Sequence, residues 1–121
     1  MNFIEAPDLK ARVAWVAKSL EMGHVILENV ACFRSTGSKS RAYARIWALP
    51  RIFQKAMATK AHYAIEFLES FERVSEHEKD KIIIHELLHI PKTFSGGLRP
   101  HNCFGKKIEK EVEVLHKKLL K

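Results

Sequence analysis

The residues best suited to chemistry lie in the short run His85-Glu86-Leu87-Leu88-His89. On an α-helix, residues four apart lie one above the other, so His85 and His89 can direct two imidazole nitrogens at one point. Such nitrogens bind zinc at about 2.0–2.1 Å. Glu86 projects about 100° further around the helix, where it can reach a metal-bound water without binding the metal. The pattern H-E-x-x-H therefore predicts a zinc-dependent peptidase with Glu86 as general base.

The third metal ligand is less clear from the spacing. A catalytic zinc site needs three protein ligands and keeps a fourth position for water. His101 lies twelve residues after His89 and follows Gly96-Gly97, a turn that lets the chain fold back over the motif. Glu109 is the alternative, because some zinc peptidases take a glutamate from the following helix. The sequence favours His101 and leaves Glu109 open.

This chemistry requires the motif to lie on a helix. Ser75 and Glu78 form the S-x-x-E pattern of a capping box, which predicts a helix over residues 75–90 that ends before Pro91. Its apolar positions recur at helical spacing: Ile82, Ile83, Leu87 and Ile90. Burying two histidines and a glutamate in such a helix is costly unless they have partners. The simpler alternative is that these polar side chains face solvent.

The remaining elements must position that helix. Apolar spacing predicts a first helix over residues 8–22 and a last helix over residues 106–120. Three β-favouring runs lie between them, at residues 25–33, 43–49 and 62–68, and residues 51–57 fit a short strand or a helical turn. We expect an α+β fold: a minimal zincin-like domain with an N-terminal helix, a small, mainly antiparallel sheet of three to four strands, the motif helix and a C-terminal helix.

Length and composition limit the class of protein. The chain has 121 residues, which predicts one domain over residues 1–121, and its 46% hydrophobic content indicates a globular core rather than disorder. Only Cys32 and Cys103 are present, and the sequence shows neither a signal peptide nor an apolar run long enough to cross a bilayer. We therefore expect a cytoplasmic protein without a membrane partner.

The charge of the chain bears on its partners. The formal net charge is +7, with Lys and Arg spread along the sequence. A positive balance favours acidic partners, of which nucleic acid is the commonest. The alternative interpretation is a solvated surface that is rich in Lys and Glu.

The motif region resembles a known family. Residues 81–91 (KIIIHELLHIP), followed by His101, are similar to a metallopeptidase family found in phages and archaea. Residues 44–50 (ARIWALP) and the predicted strand that ends near Phe67 also resemble that family. The likeness covers about residues 44–104, roughly half of the chain.

The SprT-like zinc peptidases are more remotely similar, since they also place a third histidine just before their last helix. They usually have glycine directly after that histidine and an aromatic residue four positions beyond it. Here Asn102 follows His101, and Phe104 comes three positions after it. The four-cysteine zinc ribbon of some SprT-like proteins is absent from a sequence with two cysteines.

The resemblance implies a cofactor and a set of roles. It implies Zn²⁺ as the cofactor, with His85, His89 and His101 as ligands and Glu86 as general base, acting on a protein or peptide substrate. A second hypothesis is a weakly active or inactive zinc-stabilised module that binds nucleic acid.

Three other residues are candidates for smaller roles in the predicted site. Tyr43 or Tyr63 could donate a hydroxyl to an oxyanion, and Arg99 could bind a substrate carboxylate. Ordinary packing of the tyrosines and a solvated loop arginine are the simpler interpretations.

Overall fold

The part of the chain that the structure describes has an α+β fold, as predicted. The computed structural model describes residues 2–103 and 106–121, with the backbone alone for residues 102, 103 and 106. The α-helices are α1 Pro7–Ser19, α2 Arg51–Ala56, α3 Glu76–Leu88 and α4 Ile108–Leu119. The β-strands are β1 Asn2–Glu5, β2 Val30–Thr36, β3 Ala44–Ala48, β4 Tyr63–Phe67, β5 Asn102–Cys103 and β6 Lys106–Lys107.

The main sheet has four strands in the order β1-β2-β4-β3. The pairs β1–β2 and β3–β4 are antiparallel, whereas β2 and β4 are parallel. The sheet is therefore mixed and mainly antiparallel, and β3 is an edge strand. The parallel pair arises because the chain leaves β2, forms the edge strand β3, and returns through α2 to the position between β2 and β3.

The two faces of this sheet differ in chemistry. The inner face carries Ile65 and Phe67 of β4, which are fully buried in one core with Val13 of α1 and Ile83 of α3. The outer face carries Glu66, whose side chain lies between those two core residues along the strand but points the other way. The alternation of apolar and polar side chains along β4 thus separates a helix-covered face from a polar one.

Several predicted boundaries differ from the structure. The strand predicted over residues 25–33 is wrong at its start, because residues 27–29 form a 3₁₀ turn and β2 begins only at Val30. It continues to Thr36, three residues beyond the predicted end, because that end pairs with β1. Residues 51–56 are helical, which decides between the strand and the helical turn that the sequence left open. Strand β1 was not predicted, since all four of its residues are exposed and it has no buried periodicity.

An ion-pair network joins the first helix to the motif helix. Arg12 of α1 donates from Nε to Asp80 Oδ1 at 2.9 Å and from Nη1 to Glu76 Oε2 at 3.0 Å. Asp80 is buried, so the pair with Arg12 satisfies a carboxylate that would otherwise be costly in the core. This network fixes the N-terminal half of α3 against α1.

The cysteines and the apolar character of the helices bear on the environment of the chain. Cys32 is buried in the core, and the side chain of Cys103 lies outside the described residues. Of the helices that the structure describes, none has the length and apolar character needed to cross a bilayer.

Candidate metal centre

The motif helix begins where the capping pattern predicts. Ser75 is the N-cap residue of α3, and its Oγ accepts a hydrogen bond from the backbone N–H of Glu78 at 3.2 Å. The carboxylate of Glu78 lies 3.7 Å from Lys81 Nζ, one turn further along the helix. The cap satisfies one of the free N–H groups at the helix start. It therefore fixes where the helix starts, and with it the face on which His85 and His89 lie.

The two motif histidines meet on that face. His85 is half-buried, His89 is 8% exposed, and their Nε2 atoms are 3.3 Å apart. Two nitrogens that each bind one tetrahedral zinc ion at about 2.0–2.1 Å are separated by about 3.4 Å. The distance between the two nitrogens therefore fits a shared metal ion. Without a metal, His85 Nε2–H can donate a hydrogen bond to the lone pair of His89 Nε2.

The segment after the Gly-Gly turn is bound to His89. Its imidazole Nδ1 lies 2.5 Å from the carbonyl oxygen of Arg99, and because a carbonyl only accepts, Nδ1 carries the proton. That proton leaves the lone pair of the neutral ring on Nε2, the atom that faces His85. The backbone N–H of Arg99 also donates to the carbonyl of His89 at 2.7 Å. These two contacts hold the returning chain beside the end of α3.

His101 completes a group of three imidazoles. Its ring centroid lies 4.7 Å from that of His89 and 5.2 Å from that of His85. One ring nitrogen from each of the three histidines lies within 4.8 Å of the other two, so the group could hold a metal ion. The carbonyl of His101 accepts a hydrogen bond from the N–H of Ile108 at 2.9 Å, which links the segment to the start of α4.

The electrostatics of the two helical histidines favour unprotonated imidazoles. Burial lowers the pKa of His85, and the neighbouring His89 and His101 lower it further. Burial also lowers the pKa of His89, in spite of its bond to the Arg99 carbonyl. Neutral rings present lone pairs, which is the protonation state that a metal ligand requires.

Glu86 lies next to His85 in sequence and is almost fully buried, at 7% exposure. Burial raises the pKa of its carboxyl to about 8, because the carboxylate form loses its hydration there. Its side chain lines the same cavity as the three histidines. A positive charge nearby would oppose this shift and favour the carboxylate form of Glu86.

A second set of contacts shapes the Gly-Gly turn. Gly96 has a φ of +101°, and a Cβ at this position would collide with the amide of Gln54. The Tyr63 hydroxyl accepts from the N–H of Gly96 at 2.9 Å and donates to the carbonyl of Gly97 at 2.9 Å. Gln54 Nε2 donates to the carbonyl of Ser95 at 3.3 Å. The turn is therefore fixed by side chains of β4 and α2.

The structure separates the other candidates. Glu109 lines the cavity but is outside the group of ligand atoms formed by the three histidines. Tyr63 uses its hydroxyl in the Gly-Gly turn, whereas Tyr43 lines the cavity and is 47% exposed. The guanidinium of Arg99 binds the Leu88 carbonyl at 3.2 Å and Glu111 at 3.3 Å. The structural role of Arg99 was missed, because it depends on its backbone and leaves no mark on the sequence.

The histidines open into a cavity of about 840 Å³. Its walls are the edge strand β3, the motif helix, the segment from Leu98 to His101 and the start of α4. The side chains of Ile46 and Val112 contribute apolar surface, and those of Glu86 and Glu109 contribute carboxylates. A cavity of this volume is large enough for several residues of a polypeptide.

Comparison with protein families gives the class. The family model described as "Putative phage metallopeptidase" matches residues 1–119. The chain therefore belongs to this family, and the resemblance seen over residues 44–104 extends across the fold. Comparisons with curated proteins and with solved structures returned no match.

Proposed function

We propose that this chain is a zinc-dependent peptidase in which His85, His89 and His101 hold the metal and Glu86 is the general base. One observation carries the proposal. Three imidazole nitrogens lie within 4.8 Å of one another on the wall of a cavity that also contains a buried carboxylate. Membership of a metallopeptidase family supports the same activity.

The donor set suits zinc. Three imidazoles with an open fourth direction match the ligands of a catalytic zinc site, and the carbonyl of Arg99 orients the ring of His89 as a hydrogen-bond partner of a metal ligand does. The lowered pKa values of His85 and His89 favour uncharged ligand nitrogens, and the carboxyl of Glu86 is buried beside them in sequence. A bound zinc ion would polarise a substrate carbonyl and lower the pKa of a water molecule.

The role of Glu86 follows from its position on α3. Directly after His85, its carboxylate projects to one side of the ligand nitrogens rather than towards them. A carboxylate there can remove a proton from an attacking water and then donate that proton to the leaving amine. Its burial excludes bulk water, which strengthens its electrostatic interactions with the reacting groups.

The substrate would bind along β3. This strand is at the edge of the sheet, with one side paired to β4 and the other forming a wall of the cavity. An extended peptide can add to such an edge through main-chain hydrogen bonds. That mode of binding makes few demands on side chains, which suits a peptidase that cleaves unfolded segments.

The test compares two glutamates that line the same cavity. Glu86→Gln should keep one zinc ion per chain and lose peptide hydrolysis by at least about a hundredfold, the usual size of general-base catalysis. Glu113→Gln is the matched control, since Glu113 also lines the cavity but is exposed and pairs with Lys81 at 3.2 Å. It should retain activity within about threefold.

Metal content and cleavage of an unfolded protein would be measured on the same samples. Self-cleavage at high protein concentration is a second assay that needs no external substrate. Equal turnover by wild type and Glu86→Gln would reject Glu86 as the base. Stoichiometric zinc without any turnover by the wild type would instead favour a metal-stabilised binding module.

A further inference from the structure

The net charge of the chain resides in one continuous segment. Residues 29–65 contain seven Lys and Arg residues and no Asp or Glu. The whole chain has 21 basic and 14 acidic residues, so the remainder has 14 of each and no net charge. This segment, called here the basic segment, runs from the end of the 3₁₀ turn before β2 to the middle of β4. The +7 charge is therefore a local property of three strands and α2.

Five of the seven cations are exposed, and they lie beyond the two ends of the edge strand. Lys39 and Arg41 precede β3, and Arg51, Lys55 and Lys60 follow it. Helix α2, which carries two of them, buries none of its own residues. Their positions are therefore determined by the course of the chain around β3 rather than by packing in the core.

Exposed aromatic side chains lie on the outer face of the same strands. Phe3 of β1 pairs with Ser35, Phe33 of β2 pairs with Glu66, and Trp47 of β3 pairs with Ala64. Paired residues of neighbouring strands project from the same face of a sheet. Phe3 is 55% exposed, Trp47 is 54% exposed and Phe33 is half-buried.

A groove of about 680 Å³ is lined by two of these aromatic residues, Phe33 and Trp47. Its floor is formed by Ala31 and Ala64, which lie opposite each other in β2 and β4, and its walls include Phe33 and Trp47. Small residues on the floor and aromatic residues on the walls leave a slot with flat sides. A flat aromatic ring can enter such a slot and stack on a wall.

The orientation of Trp47 is fixed by the sheet. Its indole N–H donates to Glu66 Oε1 at 2.9 Å, and the guanidinium of Arg45 lies 5.6 Å from the ring centroid. Glu66 is 2% exposed and also accepts from Ser35 Oγ at 2.6 Å and from Arg45 at 3.1 Å. Burial raises the pKa of Glu66, but these hydrogen bonds outweigh it and lower the pKa overall. The outer face thus presents a pre-oriented aromatic ring.

The cavity with the histidines does not share this charge. Its lining includes the acidic side chains Glu78, Glu109 and Glu113 together with Glu86, against the cations Arg45, Lys81 and Arg99. A strongly acidic peptide would gain little binding free energy in this cavity. The exposed cations therefore fit a polyanion that binds outside the cavity, and the aromatic rings on the outer face of the same strands favour a nucleic acid over an acidic protein.

We propose that the outer face of β2, β4 and β3, together with the basic segment around it, binds single-stranded nucleic acid. The backbone phosphates contact the cations beyond the two ends of β3, and unpaired bases stack on Trp47 and Phe33. Glu5 and Glu28 line the groove at its β1 side, so the strand follows the β3 side. This surface shares Arg45 and Trp47 with the lining of the histidine cavity but contains none of the three histidines, and the proposal does not depend on zinc or on peptidase activity.

The charge test uses two triple variants with the same change in net charge. Arg51→Gln, Lys55→Gln and Lys60→Gln together remove three exposed cations of the basic segment. Lys110→Gln, Lys117→Gln and Lys118→Gln remove three exposed cations of α4, outside that segment. With single-stranded oligothymidylate, the first variant should weaken binding at least about tenfold at low salt and reduce the slope of log affinity against log salt by about 2. The α4 variant should bind as wild type does.

The stacking test uses Phe33→Leu, which keeps an apolar side chain at a half-buried position and removes the ring. Binding should weaken at least about fivefold, the lower end of the usual stacking contribution. Trp15→Leu is the control, because Trp15 is 51% exposed on α1. In a Trp15→Phe background Trp47 is the remaining tryptophan, and its fluorescence should be quenched by the oligonucleotide. Circular dichroism and thermal unfolding would verify that each variant is folded.

Four outcomes would overturn the proposal. One is binding of poly-glutamate as tight as that of the oligonucleotide, which would indicate an acidic protein partner. Another is an equal loss of affinity in the two charge variants, which would show that only the net charge of the protein matters. The third is tight binding of a duplex with no effect of Phe33→Leu. Binding that persists with EDTA and in His85→Ala would separate this surface from the metal centre, and binding lost in both would place the nucleic acid at the histidines instead.

Discussion

The two parts of the histidine group are held in different ways. His85 and His89 lie on one face of α3, where the helical repeat determines their spacing. His101 lies on the returning segment, which is positioned by hydrogen bonds from His89 to the backbone of Arg99. The spacing of His85 and His89 thus depends on local sequence, whereas the position of His101 depends on contacts between distant elements.

This difference predicts different sensitivities to substitution. A local change in the helix alters the stability of the fold but leaves the i, i+4 relation intact wherever the helix forms. A local change near the Gly-Gly turn displaces His101 and leaves the helical pair in place. His89 belongs to both parts, because its Nε2 faces His85 and its Nδ1 binds the returning segment.

The largest effect is expected from His89→Ala. Structural zinc sites contribute about 10–16 kcal/mol over about four ligands, or roughly 3 kcal/mol per ligand. His89→Ala removes one ligand and also the anchor of Arg99, so zinc affinity should fall by about a thousandfold. Competition with a zinc chelator would measure it. His62→Ala, at a histidine that bonds to Thr59 away from the group, should have no effect on affinity; an equal loss there would contradict the assignment.

His101→Ala should lower zinc affinity by about a hundredfold, since one ligand is lost and the anchor remains. Glu109→Ala should change the affinity by less than about threefold, because its carboxylate is outside the group of ligand atoms. The same chelator competition would distinguish the two. If Glu109→Ala releases the metal and His101→Ala retains it, the third ligand comes from α4.

Gly96→Ala tests the loop alone. A Cβ at a φ of +101° is strained, and it would collide with the Gln54 amide that holds the turn. Zinc affinity should fall by about tenfold, which is the lower end of the usual loss when a metal ligand loses its hydrogen-bond partner. Gly97→Ala is the neighbouring control, with open space around its Cβ position. Similar affinities for both variants would indicate that the turn does not position His101.

The smallest effect is expected in the helix. Ser75→Ala removes the N-cap hydrogen bond to Glu78 and should lower the free energy of unfolding by about 1 kcal/mol. Zinc affinity should be unchanged, because the spacing of the two histidines does not depend on the cap. Chemical denaturation of the metal-free protein would give the first value and chelator competition the second. A fall in affinity without a fall in stability would reverse this interpretation.

The parts of the fold that the sequence predicted are those encoded locally. The motif helix has a cap, an apolar stripe and a proline after it, so its start and end were close to those observed. The inner strand β4 was predicted from its strand-favouring residue types, and four of its five residues are buried. The spacing of His85 and His89 follows from the helix alone, and their approach to 3.3 Å fits that expectation.

The features that were missed depend on contacts between distant residues. Strand β1 has four exposed residues and is a strand only because it pairs with β2. The parallel pairing of β2 with β4 depends on where the chain returns after α2, which periodicity does not encode. Arg99 holds the loop through its backbone, so its residue type gave no signal. The role of His101 as a ligand, and that of Glu86 as a base, stay predictions.

The carboxylate of Glu66 also has a consequence for folding accuracy. Side chains in a strand alternate between faces, so sliding β3 by one residue along β4 would turn Arg45 and Trp47 away from Glu66. A buried carboxylate would then lose two of its three donors, at a cost of several kcal/mol. A shifted pairing of β3 with β4 therefore costs more free energy with Glu66 than it would with an apolar residue at this position. One polar group on the outer face selects the alignment of the edge strand, and so determines which of its backbone groups line the cavity on the other side.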